Sequence, residues 1–116
     1  MFYREKFVEL DMTSALRNKY SLRVIETEKG RLVNICDEEL LGKEFRDMGV
    51  ILSIKEDFYK GIIVDEDVIV DEMKKADILI VIGRRAVNVA IREKVIHPFA
   101  VLEVEGIPYA MYTNVL

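Results

Sequence analysis

Apolar residues recur along the chain in short segments that predict β-strands. Tyr20–Thr27 and residues 31–36 are rich in β-branched side chains and flank Glu28-Lys29-Gly30. This arrangement predicts a hairpin in which glycine supplies a positive φ. Ile78–Ile82 is a continuous aliphatic run, which is typical of a strand buried on both faces. The remaining candidate strands are residues 50–54, 100–105 and 107–112.

Two longer segments have the periodicity and the ends of helices. Residues 65–76 begin at Asp65, a predicted N-cap, with Val64 and Ile69 at the two positions of a hydrophobic staple. Lys74 and Lys75 at the other end match the helix dipole. The predicted apolar face of this helix consists of Val68, Ile69, Met73 and Ala76. A second helix is predicted over residues 84–95, opened by Gly83 and stopped by His97-Pro98.

A third, shorter helical turn is predicted directly after the first hairpin. Asp37 occupies the N-cap position of this turn, Leu40 and Leu41 are its apolar residues, and Gly42 ends it. The predicted order is therefore ββ(α)βαβαββ. It favours an α/β domain of the mixed α+β type, with a mixed sheet of about five strands covered by two main helices.

The domain organisation follows from where this pattern begins. Residues 20–116 are predicted to form one small domain, and residues 1–19 form an N-terminal arm. The arm is apolar without one clean period, so it is expected to dock on the domain, and the alternative is a dimerisation segment. A homodimer joined through this arm or through an edge strand is therefore one partner hypothesis.

Composition narrows the class of protein. The single cysteine cannot form an internal disulfide, and the longest aliphatic run is far too short to span a membrane. With no secretory signal pattern at the N-terminus, the expected location is the cytoplasm. The formal net charge of −4 argues against a protein that coats nucleic acid indiscriminately. The charge is uneven, because residues 37–77 carry 13 acids and 6 bases, whereas residues 78–98 carry 4 bases and 1 acid.

That basic segment contains the best candidate binding surface. A strand, a glycine and a helix N-terminus present backbone N–H groups to phosphate or carboxylate. The candidate anion- or RNA-binding residues are Gly83, Arg84, Arg85, Asn88 and Arg92. The pattern lacks the glycines of a dinucleotide fingerprint and the lysine of a P-loop. An ordinary amphipathic helix with solvent-facing arginines is the alternative interpretation.

The residues that most often carry catalysis give weaker patterns. Cys36 lies at a predicted helix start, but the following acids oppose thiolate formation, so a buried structural cysteine is favoured over a reactive one. His97 is isolated, and one histidine with one cysteine does not make a zinc site. Asp65, Asp67 and Asp71 lie near the start of the helix predicted over residues 65–76, and helix capping accounts for them without a metal ion. We therefore predict no catalytic residue, no metal and no cofactor.

Several short motifs resemble the archaeal domain-of-unknown-function family numbered 424, from about Ser21 to Thr113. They are Cys-Asp-Glu-Glu-Leu-Leu-Gly-Lys at residues 36–43, Phe-Tyr-Lys-Gly at 58–61, Ala-Asp-Ile at 76–78, Gly-Arg-Arg-Ala-Val at 83–87 and Gly-Ile-Pro-Tyr-Ala at 106–110. The motif residues without an assigned role are Cys36, Asp37, Gly42, Phe58, Tyr59, Gly61, Gly106, Pro108 and Tyr109. The resemblance implies an archaeal, cytoplasmic protein with a loose association with translation genes.

This chain departs from the family pattern at four positions. Ile80 replaces an asparagine, Arg84 a glutamate, and Tyr109 and Met111 replace histidine and glutamine. These departures weaken the expectation of a shared enzymatic role.

Three functional hypotheses follow. The leading one is a non-catalytic binding module that contacts RNA or a protein of the translation apparatus. The second is a small enzyme or ligand-binding protein centred on Cys36 and Asp37, which requires those side chains to open into a pocket. The third is a structural or homo-oligomeric assembly protein.

Overall fold

A computed structural model describes residues 19–114. Within that range the strands are β1 Tyr20–Thr27, β2 Gly30–Asp37, β3 Glu44–Asp47, β4 Val50–Ser53, β5 Ile62–Val64, β6 Ile78–Ile82, β7 Leu102–Val104 and β8 Ile107–Thr113. The α-helices are α1 Glu56–Tyr59, α2 Glu66–Lys75 and α3 Arg84–Arg92, and 3₁₀ turns lie at Glu38–Leu40 and Pro98–Ala100. The predicted N-terminal arm lies outside the described residues, apart from Lys19.

Six of the strands form one mixed sheet in the order β5-β1-β2-β6-β8-β7. The predicted first hairpin is present, with Tyr20 opposite Asp37 and Thr27 opposite Gly30. β2 and β6 are parallel neighbours at the centre, and the other adjacent pairs are antiparallel. β3 and β4 form a separate hairpin. The expected class, a small α+β domain with a mixed sheet, is confirmed, and the sheet has one strand more than expected.

The two faces of the sheet are covered by different elements. On one face, Val33, Ile35, Leu79 and Val81 are fully buried in a core that includes side chains of α2 and α3. On the other face, Cys36 and Ile82 are buried with Leu40 and Ile54 and with half-buried side chains of the β3–β4 hairpin. Side chains alternate between the faces because successive residues of a strand point in opposite directions.

The second face is only partly covered. Leu79, Val81 and Ile82 of β6 are buried as predicted. Ile78 and Ile80, which point to the second face, are only half-buried, so the expectation that β6 is buried on both faces was wrong at these two residues. The pairing register places five apolar residues together there: Ile25, Leu32, Ile78, Ile80 and Met111. We call this set the open face.

Several predicted boundaries and caps also differ. Asp65 stands at the N-cap of α2, but its side chain makes no capping hydrogen bond and is paired with Lys19. Val68 is 40% exposed, whereas Ile69, Met73 and Ala76 are buried as predicted. The second helix ends at Arg92 rather than at residue 95. The chain then turns with Lys94 at a φ of +62°, which does not continue a right-handed helix.

Strand boundaries shifted where local turns intervene. The predicted strand 100–105 is shortened to Leu102–Val104, because Pro98–Ala100 forms a 3₁₀ turn. β3 and β5 were missed altogether. Within residues 19–114, no helix has the length and apolar character needed to cross a membrane.

Candidate functional site

The carboxyl ends of β2 and β6 bring Asp37 next to Gly83. Cys36 pairs with Ile82 in the parallel ladder, so the next residue of each strand emerges at the same edge. Asp37 is 3% exposed, and its carboxylate accepts hydrogen bonds from the backbone N–H groups of Arg85 (3.1 Å) and Ala86 (2.9 Å). Asp37 therefore caps α3 from a distant strand. The prediction that it caps the turn following it was wrong, because no side-chain capping bond forms there.

Gly83 makes this approach possible. Its φ is +109°, a conformation that side-chain-bearing residues rarely adopt. A Cβ built on Gly83 would lie 2.4 Å from Oδ2 of Asp37, well inside contact distance. The Gly83 N–H donates to the carbonyl oxygen of Pro108 at 2.8 Å, which ties the edge to β8. Any larger residue at position 83 would displace the carboxylate.

Arg85 extends this arrangement to neighbouring elements. Its guanidinium donates two hydrogen bonds to the Glu39 carboxylate, one of them at 2.9 Å to Oε1, and another at 3.0 Å to the carbonyl oxygen of Lys19. It also lies 5.5 Å from the ring centroid of Tyr20, within cation–π range. We call Asp37, Glu39, Gly83 and Arg85 the capping cluster.

The electrostatics of the capping cluster follow from burial and pairing. Burial raises the pKa of Asp37, and the two N–H groups of α3 work in the opposite direction. The hydrogen bond from Arg85 lowers the pKa of Glu39, and the same bond raises the pKa of Arg85. The N-terminus of α3, which could attract an external anion, thus faces an internal carboxylate.

The arginines of α3 are divided among different neighbours. Arg92 pairs with Glu66 at 2.9 Å and with Glu93 at 3.1 Å, so acids offset its charge. Arg84 is exposed and donates to the carbonyl oxygen of Gly106 at 3.4 Å. With exposed Asn88 it lines a cleft of about 330 Å³. Arg85 and Arg92 line a different cleft, which also includes Asn88. The candidate anion- or RNA-binding residues are therefore divided between two clefts, and acidic side chains pair with two of the three arginines.

Cys36 lies beneath this edge with no exposed surface. Burial, followed by the charges of Asp37 and Glu39, raises the pKa of its thiol to about 12. A thiol with that pKa is almost entirely protonated at neutral pH and is a poor nucleophile. The enzyme hypothesis requires Cys36 and Asp37 to open into a pocket, and both side chains are buried instead.

Backbone contacts explain the Phe-Tyr-x-Gly motif. The Phe58 carbonyl accepts from Nδ2 of buried Asn34 at 3.2 Å, and the Tyr59 carbonyl accepts from Oγ of buried Ser21 at 2.9 Å. A Cβ on Gly61 would lie 2.0 Å from the carbonyl oxygen of Leu22 in β1. Only glycine therefore fits where this segment packs against that strand. The motif thus fastens α1 and the following segment to the sheet.

The other motif residues also have structural neighbours. Gly42 has a φ of +81° and donates to the Ile54 carbonyl at 2.8 Å. Gly106 forms the β7–β8 turn with a φ of +77°. Pro108 is buried, and Tyr109 packs against the core that contains Cys36.

Sequence reasoning missed two polar features. The Glu39–Arg85 pair joins residues 46 positions apart, and no local pattern connects them. Asn34 is fully buried, and within residues 19–114 no donor reaches its Oδ1. The polar residue inside the apolar run Val33-Asn34-Ile35 was the available signal for Asn34.

The remaining candidates do not form a metal site. His97 accepts a hydrogen bond at Nδ1 from the Phe99 N–H at 3.1 Å, which caps the turn that follows it. In the part of the chain that the structure describes, no three His, Cys, Asp or Glu side chains gather as metal ligands would. Ile80 and Met111 are directly paired across β6 and β8.

The fold and the capping cluster define a small α+β domain built on a mixed six-stranded sheet. The chain belongs to the family described as "Protein of unknown function (DUF424)", which matches residues 24–115. It is also similar in structure to an uncharacterized conserved protein from Methanopyrus kandleri, with 23% identity and a TM-score of 0.69. That match covers 81% of this chain and 90% of the other, and it supports the fold alone. No curated protein matches the chain.

Proposed function

We propose that this domain is a non-catalytic binding module whose partner is a protein. The observation that carries the proposal is the β3–β4 hairpin, which exposes three apolar side chains at and beside its turn. Met48 is 96% exposed, Ile51 56% and Val50 46%. Exposed apolar residues grouped on one hairpin are typical of a surface that a partner covers.

The polar groups of the candidate site are buried or paired with one another, which supports the same conclusion. The thiol and the carboxylate at the sheet edge are buried, and Asp37 has its hydrogen-bond donors within the fold. Two arginines of α3 are paired with acids, which reduces the attraction of this face for phosphates. The hairpin therefore offers the domain a more suitable binding surface than α3 does.

The test is affinity capture from a lysate of the source organism with the full chain and three variants. The double variant Met48→Asp/Ile51→Asp changes the hairpin, Arg84→Glu changes α3, and Phe99→Asp is the matched control. Phe99 is 94% exposed and lies outside the hairpin. We expect a protein that is retained by the wild type, Arg84→Glu and Phe99→Asp, and whose retention by the hairpin variant falls about tenfold or more.

Salt and nuclease treatment separate this proposal from the RNA hypothesis. Retention through apolar contacts persists at high salt and after nuclease treatment, whereas phosphate contacts weaken steeply with salt. Binding that nuclease abolishes and Arg84→Glu reduces would replace the proposal with RNA binding. Co-sedimentation with ribosomes, measured with the same variants, tests whether the partner belongs to the translation apparatus. A captured protein that the hairpin variant still retains contradicts the proposal.

A further inference from the structure

The open face is an unusual feature for the centre of this sheet. Strands in parallel pairing are normally covered on both faces, since their connections place other elements over them. β2 and β6 are the parallel pair here, yet Leu32, Ile78 and Ile80 are only half-buried on this face. On the adjacent strand β8, Met111 is 62% exposed. A covering segment would remove this apolar surface from water, which is favourable.

We propose that residues 1–18 of this chain pack against the open face and complete the second layer of the domain. Half of these 18 residues are apolar: Met1, Phe2, Tyr3, Phe7, Val8, Leu10, Met12, Ala15 and Leu16. The segment carries three basic and three acidic residues, so it has no net charge. A half-apolar segment suits the five apolar side chains of the open face, which Arg23 borders on β1.

The point where the segment joins the domain is fixed. Lys19 is held at the start of β1 by its carbonyl oxygen, which accepts from the Glu38 N–H at 3.2 Å and from Arg85 at 3.0 Å. Met111 lies on β8, three strands across the sheet from β1. In the pairing register it shares a row with Arg23, Asn34 and Ile80, so it lies four residues along β1 from Lys19. That separation is about 20 Å, taking about 4.8 Å between strands and about 3.3 Å per residue. Eighteen residues span roughly 60 Å when extended and about 27 Å as a helix, so the segment reaches.

A second apolar surface competes for the same segment. A cleft of about 340 Å³ at the β5 edge is lined by Leu22, Val24, Ile62 and Val68. It lies at the margin of the sheet, where partial exposure is ordinary for an edge strand. The open face instead exposes the central strands, which makes it the better supported location.

Engineered cysteines in the full chain can locate the segment. Met111→Cys reports on the open face, Val68→Cys reports on the edge cleft, and Met48→Cys is the matched exposed control. The native Cys36 is buried with a thiol pKa of about 12, so its protection confirms that each variant is folded. Alkylation rates are measured in native buffer and divided by the rates in denaturant. We expect the thiol introduced at position 111 to react about tenfold or more slowly than the thiol at position 48, with the thiol at position 68 unprotected.

A change in the segment itself identifies the covering element. Phe7→Asp/Leu10→Asp in the Met111→Cys background is expected to restore fast alkylation at position 111, whereas Glu9→Gln leaves it slow. Protection that falls on dilution assigns the open face to a second copy of the chain and overturns the proposal. Protection at position 68 instead of position 111 overturns it in favour of the edge cleft. Equal rates at positions 111 and 48 overturn it outright.

Discussion

Replacing Asp37 by alanine tests the capping cluster most directly. The substitution removes an acceptor of two hydrogen bonds and leaves the N–H groups of Arg85 and Ala86 without their partner. Hydrogen bonds to charged groups contribute about 1.5–3 kcal/mol each. Burial raises the pKa of Asp37, so its charge carries a desolvation cost that alanine lacks, and this offsets part of the loss. We expect the free energy of unfolding to fall by about 2–4 kcal/mol.

Two further variants make the expectation specific. Asp37→Asn keeps one acceptor oxygen and loses the charge, so it should cost about half as much as alanine. Asp65→Ala is the matched control, because Asp65 stands at the N-cap of α2 but makes no capping bond. Its side chain is exposed and pairs only with Lys19 among the described residues, so the loss should be within about 0.5 kcal/mol.

Urea denaturation of the full chain, monitored by circular dichroism, measures all three variants. A lower midpoint with an unchanged slope identifies a loss of stability rather than a change in the unfolded state. Local capping rules alone would give Asp65→Ala the larger effect. A cost for Asp37→Ala below about 1 kcal/mol, or below that of Asp65→Ala, would refute the assignment of Asp37 as the cap of α3.

Three other predictions concern the same edge of the sheet. Gly83→Ala should cost about 3 kcal/mol or more in urea denaturation, and Gly106→Ala only about 1 kcal/mol, because both have positive φ but only Gly83 would clash. Comparable losses at the two positions would contradict this. Cys36 should resist iodoacetamide in native buffer and react fully in denaturant; rapid native labelling would refute its burial. On acidification, the stability advantage of wild type over Glu39→Gln should shrink as pH falls through the lowered pKa of Glu39. The stability advantage of wild type over Asp37→Asn should instead grow as pH falls, because the folded state takes up a proton at Asp37 before the unfolded state does. This growth should end near the ordinary aspartate pKa of about 3.9, where the unfolded chain is protonated too. Parallel pH profiles for the two variants would show that this sign assignment is wrong.

The sequence predicted those elements whose signals are local. The β1–β2 hairpin, α2 and β6 each carry an apolar pattern and turn residues within their own length, and all three are present. β3 has one apolar residue, Phe45, among three charged ones, and the three residues of β5 do not alternate, so neither segment has the pattern of a half-buried strand. Pairing with neighbours in space creates these two strands.

The candidate site shows the same division between local and distant causes. Cys36 and Asp37 were selected because of their position at a strand end, but Asp37 caps a helix that begins 47 residues later. Capping rules consider only adjacent positions, so they assigned Asp37 to the wrong turn. The neutralisation of Arg85 by Glu39 depends on β2 and β6 lying side by side in the sheet, and local apolar patterns do not determine which strands are neighbours.

The parallel pairing of β2 with β6 also has a consequence for folding kinetics. About 40 residues, from Glu38 to Asp77, separate these strands, whereas β1 and β2 are joined by a two-residue turn. Closing the longer loop costs more chain entropy, so the hairpin should form before the central pair docks. Docking of that pair is then the slower step, so contacts across it, including the one between Asp37 and α3, should be partly formed at the rate-limiting barrier. Their loss should therefore slow refolding as well as accelerate unfolding.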